Sequence, residues 1–303
     1  MKQIQSSEIT AWFKGLQNDI CRDLELIDGK AKFQEDLWER PGGGGGRTRV
    51  IKDGNIIAKG GVNFSLVEGP LSAQMAKALK VEAAETFKAT GVSIVLHPQS
   101  PMVPIIHMNV RYFELSNGEY WFGGGIDLTP HYVDQSAAAD FHQHLFEACE
   151  NTKIGYYDRF KEWADNYFFI PHRDETRGIG GIFFDRLKPD VEGLNPDQLW
   201  HFVQDVGESF IPAYKEQVEK FKDVPFGEKE LNWQKLRRGR YAEFNLVWDR
   251  GTKFGLESHG RTESILMSLP PQANWEYDYK PKAGSKEEET LGLLKKGVNW
   301  LNQ

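Results

Sequence analysis

Residues 105–128 constrain the fold more than any other part of the chain. In the run 105–115, Ile106, Met108, Val110 and Tyr112 alternate with His107, Asn109 and Arg111, the period of a strand with two different faces. Asn117-Gly118 is a two-residue hairpin signal, and the glycine-rich, apolar stretch 120–128 follows it. Strands joined this tightly are antiparallel, because a parallel pair needs a crossover of a dozen or more residues. Counting outward from a two-residue turn sets Arg111 opposite Gly124, so a cation faces a position with no side chain.

The rest of the chain supplies the other layers. Ile9, Trp12, Phe13, Leu16, Ile20 and Leu24 form a helical stripe that Ser6 or Ser7 is placed to cap. A hairpin turning at Asp53-Gly54 follows the glycines 42–46, and the alanine-rich stretch 72–90 reads as a helix ended by Gly91. Residues 92–96 read as a strand, three helical stretches are centred on 136–150, 153–168 and 196–221, and a short strand crosses 177–185. Strands are also expected over 240–248 and 261–269, on either side of a turn at 249–252, with a final helix after the charged stretch 280–289. With no repeat and no long linker, the expectation is one α+β domain over residues 1–303, a large antiparallel sheet flanked on both faces by α-helices.

Composition narrows the function classes. Across 303 residues, 40% hydrophobic content supplies a core, while a net charge of −7 lacks the broad basic footprint of a nucleic-acid binder. No apolar run reaches the ~18 residues of a membrane span, and the first residues lack a signal-like apolar stretch. Cys21 and Cys149 form no CxxC motif, so a reducing compartment, the cytoplasm, is expected.

The chemistry concentrates on the polar strand face. Ser93, His97, His107, Asn109 and Arg111, beside glycines that clear space, suit a flat anionic ligand laid on a sheet. Arg47, Arg49, Arg237, Arg238, Arg240 and Arg261 are further carriers of positive charge. The glycines 42–46 match neither GxxxxGK[ST] nor GxGxxG, which argues against a nucleotide loop. His142 and His144 are two apart, not the i, i+4 spacing of a helical metal pair, whereas His97 and His107 lie on strands that can bring them together. Asp185 follows an apolar run and reads either as a salt-bridge partner of Arg177 or Arg186, or as a buried carboxylate acting on an N–H group.

The stretches GGGGGRTRV, GVNFS, GVSIVLHPQSPMVPIIHMNVRYFE, YWFGGGIDLTPHY, DNYFFIPHRDETRGIGGIFFD, RRGRYAEFNLVWDRGTKFGL, GRTESILMSLPP and WEYDY resemble the oxygen-dependent coproporphyrinogen III oxidase family over nearly the whole chain. The resemblance implies a flat antiparallel sheet between helices, a homodimer, and conversion of two propionates of coproporphyrinogen III to vinyl groups. The product would be protoporphyrinogen IX. Molecular oxygen would be the co-substrate, with CO2 and H2O2 released and no organic cofactor. Carried onto matching positions, it implies Ser93, Asn109, Val110, Arg111, His259, Gly260 and Arg261 as substrate contacts and His107 as proton donor. Asp185 would accept pyrrole N–H groups. His97, His107, His144 and His172 match positions proposed to hold a divalent metal, with Mn2+ a candidate. Residues 241–276 match the part implicated in dimerisation. His259 stands where relatives often have a small residue. A non-catalytic tetrapyrrole carrier and a metal-dependent oxygenase are the competing readings.

Overall fold

The computed structural model describes residues 5–79, 81, 85–257 and 260–302. Helix α1 (Ser6–Asp28) leads into strands β1 (Gln34–Glu39), β2 (Gly44–Lys52) and β3 (Ile57–Pro70), then α2 (Ala73–Leu79), β4 (Thr86–Pro98), β5 (Ile105–Leu115) and β6 (Tyr120–Thr129). Helices α3 (Gln135–Glu150) and α4 (Tyr156–Tyr167), a small hairpin of β7 (Phe169–Ile170) and β8 (Glu175–Thr176), and β9 (Gly181–Leu187) follow. The remainder is helical: α5 (Pro189–Glu192), α6 (Pro196–Glu208), α7 (Phe210–Phe221), α8 (Glu228–Glu243), a π-helix (Phe244–Trp248), α9 (Arg250–Glu257), α10 (Thr262–Leu266) and α11 (Lys286–Leu293).

Seven strands form one antiparallel sheet in the order β1-β2-β3-β4-β5-β6-β9. Consecutive hairpins build it, so neighbours in sequence are neighbours in the sheet. Its even-numbered β5 residues, Ile106, Met108, Val110 and Tyr112, join Val62, Phe64, Val92, Ile94, Phe122, Ile126 and Phe184 in the main core beneath α1, α3, α4, α6 and α7. The opposite face carries the polar residues and is covered by the segment from α8 to α10 through Tyr241, Ser264, Met267 and Ser268. Helices therefore lie on both faces, as expected from the strand pattern.

Four expectations are corrected. The α1 N-cap is Gln5, without a side-chain cap, and Ser6 lies inside the helix, its carbonyl accepting from Thr10 Oγ1. Residues 86–90, expected within a helix, belong to β4: Phe87 stacks on Phe113 of β5 at 5.6 Å, and a Cβ at Gly91 would lie 2.4 Å from the Val110 carbonyl oxygen. Gly91 is thus a site of close backbone approach, not a helix end. The expected strands at 240–248 and 261–269 are helical. Their helical period is hidden in the sequence because Arg237 and Arg238 occupy buried positions of α8 alongside Trp233, Leu236 and Tyr241. Finally, residues 196–221 form two helices, since Pro212 in the first turn of α7 has no N–H to continue the ladder of α6.

Candidate active site

The hairpin between β5 and β6 closes with three loop residues. Leu115 N–H donates to Glu119 O and Gly118 N–H to Leu115 O, with Gly118 in the left-handed region at φ 86°. The register is therefore shifted by one, and Arg111 faces Gly123, not Gly124. The same shift sets His107 opposite Asp127 and Asn109 opposite Gly125. A single row then crosses the sheet on the polar face: Asp36, Thr48, Asn63, Ser93, Asn109, Gly125 and Phe183.

At one end of this surface lies an ion pair on a glycine floor. Arg111 donates to Asp185 Oδ1 at 2.8 Å and to Asn109 Oδ1 at 2.9 Å. Both members of the pair are open to solvent, with side chains 38% and 35% exposed. A Cβ at Gly123 would lie 2.7 Å from Asp185 Oδ1 and 2.9 Å from Arg111 Nε, so only glycine leaves the pair where it is. Of the two sequence readings, Asp185 is the salt-bridge partner and not the buried carboxylate; its partner Arg111 is set beside Gly123 by the shifted β5–β6 register, while Arg177 pairs with Asp127. Arg261 lies at the other side of the sheet, paired with Asp36 of β1. Four strand intervals separate β1 from β5, about 19 Å at the usual spacing.

Four residues back along β5, at His107, the face becomes drier. His107 Nδ1 donates to Asp127 Oδ1 at 2.7 Å, since an ionised carboxylate only accepts. Arg177 clamps the same carboxylate, NH2 to Oδ1 at 2.7 Å and to Oδ2 at 2.8 Å, and its guanidinium lies over the rings of Phe168, Tyr241 and Phe244. Asp127 and Arg177 are buried, while His107 keeps 21% of its side chain exposed. Burial alone would raise the Asp127 pKa, but Arg177 and His107 together hold it below the usual carboxylate value. An ionised Asp127 fixes the His107 tautomer with Nδ1 protonated, leaving Nε2, which makes no hydrogen bond among the described residues, to face the open part of the site.

The remaining candidate residues divide between this face and elsewhere. Ser93 lies between Asn63 and Asn109. The Val110 side chain is buried in the opposite core, so only its backbone reaches the polar face. Gly260 donates its N–H to Gly255 O, and a Cβ there would lie 3.1 Å from Ile265 Cδ1, whereas His259 lies outside the described residues. Of the other arginines, Arg47 is tied to Gln17 and Asn18 of α1, Arg49 and Arg240 to Glu35 and Glu243, Arg237 to Glu175, and Arg238 to the Pro98 carbonyl. Arg111 and Arg261 also have acidic partners, Asp185 and Asp36, with their own side chains 38% and 28% exposed.

The four histidines proposed for a metal are not gathered. His97 is fully buried with Nε2 on Ser268 O, and burial pushes its pKa down to about 3. His144 pairs with Glu216 on the helical layer beyond the core, and His172 lies between Glu243 and Trp248 Nε1. Among the described residues no group of three or more His, Cys, Asp or Glu side chains is arranged to hold a metal ion. This donor set, with each imidazole in a separate setting, does not fit one divalent cation. Asp127 and Arg177 were not singled out as site residues in the sequence; the signal for Asp127 is its register with His107, which appears once the hairpin loop is counted as three residues. The family model described as coproporphyrinogen III oxidase matches residues 8–300.

Proposed function

Since the chain belongs to the coproporphyrinogen III oxidase family, we propose that it carries out the oxygen-dependent reaction, converting two propionates of coproporphyrinogen III to vinyl groups. Membership itself implies oxidative decarboxylation of coproporphyrinogen in haem synthesis. The finer reading, with O2 as acceptor, no organic cofactor and protoporphyrinogen IX as product, is supported above all by the pairing of His107 with Asp127 beside the open Arg111.

The chemistry asks for these groups. In each half-reaction a –CH2–CH2–COO⁻ side chain becomes –CH=CH2, releasing CO2 and passing a β-hydrogen with its electron pair to O2. The O2 takes up one proton as well and leaves as H2O2. His107, held by Asp127 through Nδ1, is placed to take a proton from solvent on Nε2, which its partial exposure allows, and to pass that proton to the reduced oxygen. Arg111 binds a substrate carboxylate in place of, or alongside, Asp185, because a half-exposed pair is only weakly stabilising and exchanges readily. Asp185, released or shared, then accepts a pyrrole N–H and favours the electron-rich ring that reduces oxygen. Arg261 serves a propionate on the far side of the macrocycle. Gly91 and Gly125 let neighbouring strands approach closely on the polar face, and Gly123 seats the Arg111–Asp185 pair. No step runs through a metal, since the histidines do not converge.

A homodimer accompanies this reading. Within residues 241–276, Leu246, Val247, Trp248, Phe254, Leu256 and Trp275 are exposed, large apolar side chains that a second copy would take out of water. Among the described residues no helix is long and apolar enough to cross a membrane. The proposed activity is tested by incubating the purified protein with coproporphyrinogen III in air and resolving the oxidised porphyrins by chromatography. Protoporphyrin formation is the expected result; tight binding with no product would favour a tetrapyrrole carrier.

A further inference from the structure

We propose that Asn245 is a positioning residue for His107, acting through Arg177 and Asp127; this rests on the reading of His107 as proton donor. Asn245 belongs to the π-helix that continues α8, and Phe244 and Asn245 are its buried residues, while Leu246, Val247 and Trp248 face outward. The wider turn of a π-helix, a feature that often marks functional sites, directs the carboxamide inward. There Asn245 Oδ1 accepts from Arg177 NH1 at 2.9 Å, and Nδ2 donates to Ser268 Oγ at 3.3 Å.

The consequence follows from the confinement of Arg177. Its guanidinium is buried, with aromatic rings from Phe168, Tyr241 and Phe244 over it. Those rings tolerate sliding, because a cation over a ring face has no fixed angular partner. Nε and NH2 are directed by Asp127, and NH1 by Asn245. With both ends held, the fork cannot rotate in its own plane, so the two oxygens of Asp127 are fixed and Oδ1 is presented to His107 Nδ1 at 2.7 Å. Without the Asn245 oxygen, a buried N–H donor loses its acceptor, and the guanidinium turns to recover one. Asp127 moves with it, and the imidazole loses its set orientation. The bond from Nδ2 to Ser268 ties this chain to the same residue whose carbonyl accepts from His97. The proton donor is thus oriented from the helical cover as well as from the sheet.

Two variants separate positioning from bulk structure. Asn245→Leu keeps the branched outline and the number of heavy atoms and removes the acceptor; Asn245→Asp keeps an acceptor for Arg177. Steady-state kinetics with coproporphyrinogen III are combined with imidazole 15N NMR of the resting protein, assigned through His107→Gln. For N245L, kcat is expected to fall roughly ten-fold or more with KM within about two-fold, and the His107 Nδ1–H signal to lose its hydrogen-bonded shift. N245D should recover most of both. Wild-type kcat in N245L, an unchanged His107 signal, or failure of N245D to rescue would overturn the assignment. If N245L does not fold, N245S is compared with N245D in its place and judged by the same outcomes. Failure of the oxidase reading is distinguishable, because it leaves the wild type without product, while the NMR comparison still reports on Asn245.

Discussion

Gly123 and Gly124 are adjacent in β6 but serve opposite faces, and replacing each by alanine should separate binding from stability. At Gly123 the new Cβ would meet the ends of two flexible side chains, Asp185 Oδ1 at 2.7 Å and Arg111 Nε at 2.9 Å. Relief requires a shift of about 0.6 Å to reach an ordinary carbon–oxygen separation, which both side chains can make toward solvent. Folding loses little, but Arg111 no longer points where a substrate carboxylate expects it. Losing one charge-assisted hydrogen bond of an exposed group costs about 1.5 kcal/mol, or about ten-fold in affinity. At Gly124 the Cβ would meet the Asn109 carbonyl oxygen at 2.6 Å and the Phe184 ring at 2.8 Å, and neither can move without shifting the sheet or the core. Overpacking of that kind costs about 2 kcal/mol, equivalent to about 4 °C in Tm for a protein of this size. Steady-state kinetics and thermal melting of G123A and G124A side by side make the test. The expected pattern is raised KM with near-native Tm for G123A and lowered Tm for G124A. Equal losses of Tm with an unchanged KM in G123A would refute the assignment of the Arg111 pair to substrate binding.

Asp185→Asn keeps the shape of the side chain beside Arg111 but weakens its capacity to accept an N–H; turnover should fall far more than binding, and unchanged kcat would remove Asp185 from the chemistry. Glu243 accepts from His172, Arg173, Arg240 and Trp275, and although burial works against it, these donors lower its pKa from 4.5 to about 2. A depressed carboxylate stabilises the fold fully above its unfolded pKa and loses that contribution as pH falls from about 4.5 through about 2. Glu243→Gln should therefore flatten the acid limb of stability in that window, read by chemical denaturation across pH; a limb as steep as the wild type's would contradict it. Leu246→Asp places a charge in the exposed apolar stretch of the π-helix and should convert a dimer to monomers in sedimentation velocity, with an intact dimer arguing for a different interface.

The hairpin of β5 and β6 was readable because a period of two and an Asn-Gly turn are local signals, and they carried the antiparallel sheet and its polar face with them. One residue of loop length was not readable, and it changed the chemistry: the three-residue loop moves Arg111 onto Gly123 and His107 onto Asp127. Asp127 and Arg177 were obscure for a related reason, as buried charges look like surface charges until their partners are known. The helices of the C-terminal third are hidden in the sequence because Arg237, Arg238 and Asn245, all buried, break the apolar pattern by which helices are recognised. Conversely, the histidines drew attention by residue type alone. Position separates them: His97 and His107 share the polar face, while His144 lies on the helical layer of the opposite face and His172 is bound to Glu243.

The chemistry proposed at the His107 and Arg111 surface is oxygen-dependent, metal-free decarboxylation. Its most direct test is turnover of coproporphyrinogen III by chelator-treated protein, with and without O2, while CO2, H2O2 and porphyrin products are quantified together. Two CO2 and two H2O2 for each protoporphyrinogen IX are expected in air, and no product under anaerobic conditions. Product formed without oxygen, or activity that appears only when manganese is restored, would contradict it.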